Sequence, residues 1–405
     1  MKRLSKSVLM TMLAVILALA LVGCQTTAKK VETIPPAPVV EPAPTPAAPV
    51  KPAEATPAPA PEKKAETVPA PAPAPAPAPT PAPAPAPAPA PVEEKLIATD
   101  SYPYGVTTTV KNARGDKEFD LFVVHTNDID GAFKGEKGGV SLAQLATVTK
   151  VGGQVTDNWL MLNAGNIGVT EQNAMSVAQA VDAVGYSAYT PQTIQMAYGM
   201  TGTAKAVALS ANALDANGYL LETPYQVYSF NGFKVAVVGL TTPKDVKGAS
   251  FTSDVILQNA QAAVDIAHKY VNYVVVLADT SNSGKLSTDF VCKNLKGIDL
   301  YVESGMSAST RVVNGTRVVT ADPELRSVGV VQLHVKDGKV TATYPMTVPA
   351  DALTAPQKSD LVKKYASVIK AYGINPTAAV PEDASVAKLF EVKVAAKPAP
   401  APAPA

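Results

Sequence analysis

The chain has 405 residues, 35 of them basic and 34 acidic, for a formal net charge of +1. A protein built to grip nucleic acid carries a clear basic excess, so this balance argues against that class. Most of the 37 prolines crowd into one N-terminal tract and a short C-terminal run; without these and an N-terminal apolar segment, roughly 250–300 residues remain for one large domain or two small ones.

Met1-Lys2-Arg3 and Lys6 form a basic head ahead of an apolar run from Val8 to Val22. That run is short for a membrane span and has the shape of an export signal over residues 1–23. Its end, Leu21-Val22-Gly23-Cys24, resembles the lipobox of bacterial lipoproteins. The resemblance implies cleavage before Cys24 and lipidation of its thiol, a membrane anchor at the N-terminus. A plain secretory signal or an anchor helix is the alternative. The cell envelope is the expected location, with the outer membrane favoured where the cell has one. The other cysteine, Cys292, lies in an apolar-periodic stretch with Phe290, Val291 and Leu295 and reads as a core filler.

Residues 24–96 are a low-complexity linker of Pro, Ala, Thr, Val and scattered charges, nearly strict Pro-Ala alternation after Val68. Such proline density excludes helices and ladders and leaves an extended, otherwise disordered spacer of polyproline type. Fully extended, it would reach on the order of 200 Å at about 3.1 Å per residue. It is a stalk, or simply tolerated sequence of no defined length.

Short apolar strands then alternate with helical periodicity over residues 97–350, which predicts a layered α/β domain. The strands expected are Phe119–His125, Trp159–Leu162, Lys234–Leu240, Tyr273–Leu277, Leu300–Val302 and Arg317–Thr320. The helices expected are Leu142–Lys150, Ala174–Val184, Leu257–Tyr270 and Thr288–Leu295. Val328–Val335 and Val340–Tyr344 flank Lys336-Asp337-Gly338-Lys339 and read as a hairpin. Residues 351–373 hold a last helix starting near Pro356, with Leu361, Val362, Tyr365, Val368, Ile369 and Tyr372 on one stripe and Gly373 as its stop. Residues 374–405 read as a tail.

Several of these segments, in order, resemble the catalytic-type domain of the 5′-nucleotidase metallophosphatases. They are Phe122-Val123-Val124-His125-Thr126-Asn127-Asp128, then Gly138-Gly139 with Leu142 to Ala146, then Leu209-Ser210-Ala211-Asn212. Pro224-Tyr225, Phe233 to Pro243, Gly297-Ile298-Asp299-Leu300, Asn314-Gly315-Thr316 and Val328-Gly329 continue the likeness. The resemblance implies a four-layer αββα sandwich with a cleft at the strand ends. In active relatives that cleft holds two divalent metals, which activate water for in-line attack on phosphorus.

The ligands the resemblance calls for are replaced here. Asp-x-His becomes Asp128-Ile129-Asp130, and Gly-Asp becomes Gly165-Asn166, so the metal-bridging carboxylate is an amide. Gly-Asn-His-Glu falls on Gln192-Thr193-Ile194-Gln195, which puts Thr193 and Ile194 at the catalytic turn. The lone His becomes Asp279, and Gly-His-x-His falls on Ser304-Gly305-Met306-Ser307, with Gly305 and Ser307 at the motif. The family site uses five histidines, whereas this chain has three, His125, His268 and His334. Each reads as structural. No catalytic residue is therefore assigned, and the expectation is a pseudoenzyme with no cofactor.

If the implied fold holds, Asp128, Asp130, Asn166 and Asp279 converge. An oxygen-only set of this kind suits one Mg²⁺ or Ca²⁺ better than Zn²⁺; solvated loop acids are the other reading of the same residues. The family's second domain carries its nucleotide-recognition surface, and the residues after Gly373 are too few to build it, so nucleotide binding is not expected. Three functional readings remain: a catalytically silent fold for binding or envelope architecture, a divergent metal-dependent phosphoesterase, and a stalked adhesin-like lipoprotein with a cell-wall or protein partner.

Overall fold

The structure, a computed structural model, describes residues 103–191, 203–215, 217–242, 249–250, 253–279, 287–371, 375 and 377–391. The export signal, Cys24, the linker, Thr193 and Ile194 lie outside these residues. Among the described residues no helix is long and apolar enough to cross a membrane.

The strands are β1 (Thr108–Asn112), β2 (Glu118–Asn127), β3 (Trp159–Ala164), β4 (Ala188–Tyr189), β5 (Val207–Ala208), β6 (Leu214–Asp215), β7 (Tyr225–Phe230), β8 (Phe233–Thr241), β9 (Ala249–Ser250), β10 (Tyr273–Asp279), β11 (Leu300–Glu303), β12 (Ser309–Val313), β13 (Thr316–Thr320), β14 (Ser327–Lys336) and β15 (Lys339–Pro349). The helices are α1 (Leu142–Val155), α2 (Ala174–Val184), α3 (Ser253–His268), α4 (Thr288–Asn294), α5 (Asp351–Thr354), α6 (Asp360–Ala371) and α7 (Ala384–Ala387). One sheet runs β1-β7-β8-β10-β11-β13-β12 and a second runs β15-β14-β2-β3-β4-β5. Strands β8, β10, β11 and β13 are parallel, as are β2, β3, β4 and β5. Both sets therefore deliver their C-terminal ends to one rim, where open α/β sheets build their sites.

The strand period of two sorts each side chain to one of two faces. Leu121, Val123, Leu160 and Leu162 point between the sheets, where they meet Val235, Val237, Val275 and Leu277. Phe122 and Met161 point the other way, onto Leu142, Leu145 and Ala146 of α1 and Val177, Ala178 and Val181 of α2. On the far sheet Ala236, Val238, Val274 and Val276 meet Ala260, Ala263, Val264 and Ala267 of α3. The result is helix, sheet, sheet, helix, the αββα sandwich that the resemblance implied. A strand with both faces covered needs apolar residues at every position, which is why β8 and β10 read as unbroken runs.

The expected strands and helices all form; the strands and α1 extend further, α2 keeps its expected bounds, and α3 and α4 end one or two residues earlier than expected. The hairpin turn places Asp337 (φ 48°) and Gly338 (φ 72°) in the left-handed region that a two-residue turn requires. The pattern hid β1, β7 and β12 and the two-residue strands, which are too short or too polar to stand out. The last helix starts at Asp360 rather than Pro356, and its expected stop at Gly373 lies outside the described residues. Val362 and Ile369 are buried against the α1–α2 side of the sheet.

The expected tail needs correction. Val380 and Val386 are buried in the same core, and Phe390 stacks on Phe133 with ring centroids 4.7 Å apart. Asp383 accepts from the Ser385 and Val386 backbone N–H groups to cap α7, and Lys150 of α1 pairs with it. These donors hold its carboxyl low, at about 2. The Gln144 amide donates to the Val380 carbonyl at 3.0 Å. Single valines and one phenylalanine in a polar stretch gave no periodic signal, so only the tertiary contacts reveal this docking.

Candidate functional site

The site is built where β2, β3, β10 and β11 end. Asn127, the last residue of β2, is fully buried and fastens three strand ends together. Its amide nitrogen donates to the Gly305 carbonyl at 3.0 Å and to Asp128 Oδ2 at 3.0 Å, and its Oδ1 accepts from the Ala321 N–H at 3.0 Å. The Gly305 N–H donates to Asp128 Oδ2 at 2.9 Å. Asp128 (φ 42°) and Asp130 (φ 55°) both adopt left-handed backbone, an unusual cost that acidic loop residues tolerate better than most.

Gly165, just after β3, sits at the centre with φ +106°. A Cβ there would stand 3.2 Å from Asp128 Oδ1, 3.2 Å from Asp279 Oδ1 and 3.2 Å from the Ser304 Cβ. The glycine thus admits two carboxylates from opposite sheets to one spot. Asp279 is buried at the end of β10, and the Ser304 hydroxyl donates to its Oδ1 at 3.4 Å.

Asp130 and Asn166 form a separate pair. The Asn166 amide nitrogen donates to Asp130 Oδ1, while Asn166 Oδ1 accepts from the Gly168 N–H at 2.9 Å. The backbones also meet, Asp130 N–H donating to the Asn166 carbonyl at 3.0 Å. The four residues named from the sequence are therefore divided two and two. Among the described residues no three of His, Cys, Asp and Glu are grouped to hold a metal ion.

The histidines are spent elsewhere. His125 is buried on β2 opposite Gly329, whose absent Cβ would fall 2.1 Å from the imidazole Nε2. Burial pushes its pKa down to about 4, so the ring is neutral near pH 7. His268 meets the Gly297 carbonyl at 2.5 Å, and His334 meets Asp120 at 2.9 Å. Cys292 is buried, and burial pushes its thiol up to about 12, as a core filler and not a nucleophile.

The residues present do not fit a dinuclear metal centre. Two cations a few ångströms apart need a bridging carboxylate and several imidazoles. Here Asn166 beside Gly165 is an amide whose two ends are committed to Asp130 and Gly168, and no imidazole faces Gly165.

Beside this spot, Gly305 and Ser307 line a polar cavity of about 460 Å³. Its wall holds an ion pair that the sequence reading missed. Arg311 on β12 donates through both Nη atoms to Glu303 at the end of β11, the Nη2 bond being 2.9 Å. Glu303 is 6% exposed. An acid closing the apolar run Leu300-Tyr301-Val302 was the available signal, since a buried carboxylate requires partners.

Comparison with known proteins agrees with this architecture. Over 162 residues the chain is 31% identical to a 5′-nucleotidase of Vibrio cholerae, a match covering 35% of this chain and 29% of the relative. The 5′-nucleotidase of Candida albicans superposes with a TM-score of 0.50 at 13% identity, over 69% of this chain and 57% of that one. The α/β domain has the metallophosphatase-type fold and is similar in sequence, over part of its length, to a 5′-nucleotidase. A calcineurin-like phosphoesterase of Bacillus subtilis superposes with a TM-score of 0.48 at 16% identity, over 63% of this chain and 98% of that one. No protein-family model matches the sequence. The chain thus spans under a third of the curated relative it matches and little more than half of the Candida enzyme.

Proposed function

We propose that this chain is a bacterial envelope lipoprotein, held to a membrane by lipid on Cys24, whose metallophosphatase fold binds or builds instead of hydrolysing. The observation that carries the reading is Asn166. An amide in place of the bridging carboxylate cannot serve two metals, and its nitrogen is already donated to Asp130. The three imidazoles of the chain all contact groups outside the cleft or lie in the core. Without a cleft imidazole, no such group among the described residues is placed to activate a nucleophile or protonate a leaving oxygen. The Pro-Ala tract would hold the domain off the bilayer, toward a cell-wall or protein partner.

One observation favours a second reading, a divergent phosphoesterase. Asp128 and Asp279 still share Gly165, and any affinity for Mg²⁺ or Ca²⁺ would fall to that pair. The two readings separate in an assay of the mature protein with generic phosphate monoesters and diesters across Mg²⁺, Ca²⁺, Mn²⁺ and Zn²⁺. The expected result is no turnover above the metal-only blank. Turnover that disappears in Asp128→Ala would establish the phosphoesterase instead.

A further inference from the structure

The 460 Å³ cavity beside Gly305 falls in the volume range of small-molecule sites, and its hydrogen bonds can be assigned proton by proton. The Thr320 hydroxyl donates to Glu303 Oε1 at 2.6 Å. Because that proton is committed, the 3.2 Å contact between Ser309 and Thr320 must run from the Ser309 hydroxyl to the Thr320 oxygen. Ser309 in turn accepts from Arg311 Nη1 at 3.2 Å. Arg311 closes the circuit by donating to both Glu303 oxygens, and the Thr288 hydroxyl supplies a further bond to Oε2. Each Glu303 oxygen thus accepts two hydrogen bonds, which fills its lone pairs.

This closed ring decides which charges a ligand meets. Arg311 is the one cation among the described lining residues, and its charge is matched by Glu303. Asp289 adds a negative charge at the exposed side, and Asp279 lies behind Ser304. Among the described residues a phosphate monoester would therefore meet no unmatched positive charge and at least two carboxylates. An ammonium group gains little either, because the Glu303 lone pairs are filled and Asp289 is in solvent. What the wall does offer is acceptor lone pairs on Ser309 and Thr320, the hydroxyls of Ser287 and Ser307 outside the ring, and the Arg311 N–H groups not given to Glu303 or Ser309, which suit ligand hydroxyls that both donate and accept. At the mouth, Met306 is 74% exposed, an apolar cover for the C–H face of a ring.

We infer that this cavity binds a neutral polyhydroxylated ligand of monosaccharide size, held by Ser287, Ser307 and the outward lone pairs of the ring around the Glu303–Arg311 pair. The inference rests on the reading of a cleft that binds without hydrolysing, and it names the class of ligand.

The test is saturation-transfer NMR on the mature protein with glucose, mannose and N-acetylglucosamine, each set against glucose 6-phosphate and glucosamine. Ser307→Trp fills the cavity mouth from an exposed position without touching the ion pair, so its fold is retained. At least one neutral sugar is expected to bind about tenfold more tightly than glucose 6-phosphate and glucosamine, and Ser307→Trp should weaken it at least about tenfold. Arg311→Met, checked for its melting transition, should also lose the sugar. Three results would overturn the inference: silence from all three neutral sugars, equal or tighter binding of the phosphate or the amine, or binding indifferent to Ser307→Trp. Failure here without phosphate turnover sinks the ligand class alone. Turnover of a phosphate ester sinks the non-hydrolytic reading beneath it.

Discussion

Replacing Asn166 with aspartate puts a second carboxylate against Asp130 and tests the site directly. In the native chain the Asn166 amide nitrogen donates to Asp130, and its oxygen accepts from Gly168. An aspartate keeps the second bond and turns the first into a contact between two acceptors. Two unit charges about 4 Å apart cost about 1 kcal/mol in water and about 4 kcal/mol at the effective dielectric of a protein surface. Asp130 is exposed and residue 166 half-buried, so the water limit is nearer, and with the lost hydrogen bond the total is about 2 kcal/mol. For a domain of this size that lowers Tm by about 4–6 °C near pH 7.

The like-charge pair raises one carboxyl above its ordinary value. The folded variant then binds more protons than its unfolded chain, so its stability deficit shrinks as pH falls through the raised value toward about pH 4. Scanning calorimetry of both proteins at about pH 7 and about pH 4.5 reads this difference, and the contribution of His125 cancels because both carry it. Mg²⁺ or Ca²⁺ should raise the Tm of the variant alone, since only there do facing carboxylates lack an internal donor. Equal melting at neutral pH, or a deficit that persists unchanged in acid, would refute the assignment of Asn166 as the donor that quiets Asp130.

Two further outcomes follow from the same geometry. The pKa of His125 is depressed from 6.5 to about 4, so its unfolded form takes up a proton first; stability present above about pH 6.5 is lost as pH falls toward about 4, in all about 3 kcal/mol. Urea unfolding of His125→Leu should flatten that slope, and a profile parallel to the native one would exclude His125 as its source. Calorimetric titration of the native protein with Mg²⁺ or Ca²⁺ should give neither heat nor a melting shift, because Asn166 donates to Asp130 while Asn127, Gly305 and Ser304 donate to Asp128 and Asp279. A saturable heat that vanishes in Asp128→Ala would instead place a cation between Asp128 and Asp279.

Much of the sandwich was legible because burial on two faces writes itself into the sequence. Unbroken apolar runs such as Val235–Leu240 and Tyr273–Leu277 could only be strands covered on both sides. Helices α1 and α2 announced themselves by period, and α1 begins with a Ser141–Gln144 capping box. The site was half-legible. Of the residues expected to converge, Asp128 and Asp279 do meet, at Gly165. Their division into two pairs was not readable, because the donor of a hydrogen bond depends on loop backbone such as the left-handed Asp128 and Asp130.

By itself, the sequence determined the sheet-forming segments, the scarcity of imidazoles and the amide at position 166, since each is a matter of residue type and local period. The tertiary structure alone decided that Val380, Val386 and Phe390 dock on the core and that Glu303 finds Arg311 and Thr320. It also decided that Asn166 spends its amide on Asp130. These are pairings between groups on different strands or loops. Their free energy comes from removing both partners from water together, and no single stretch of chain carries that information.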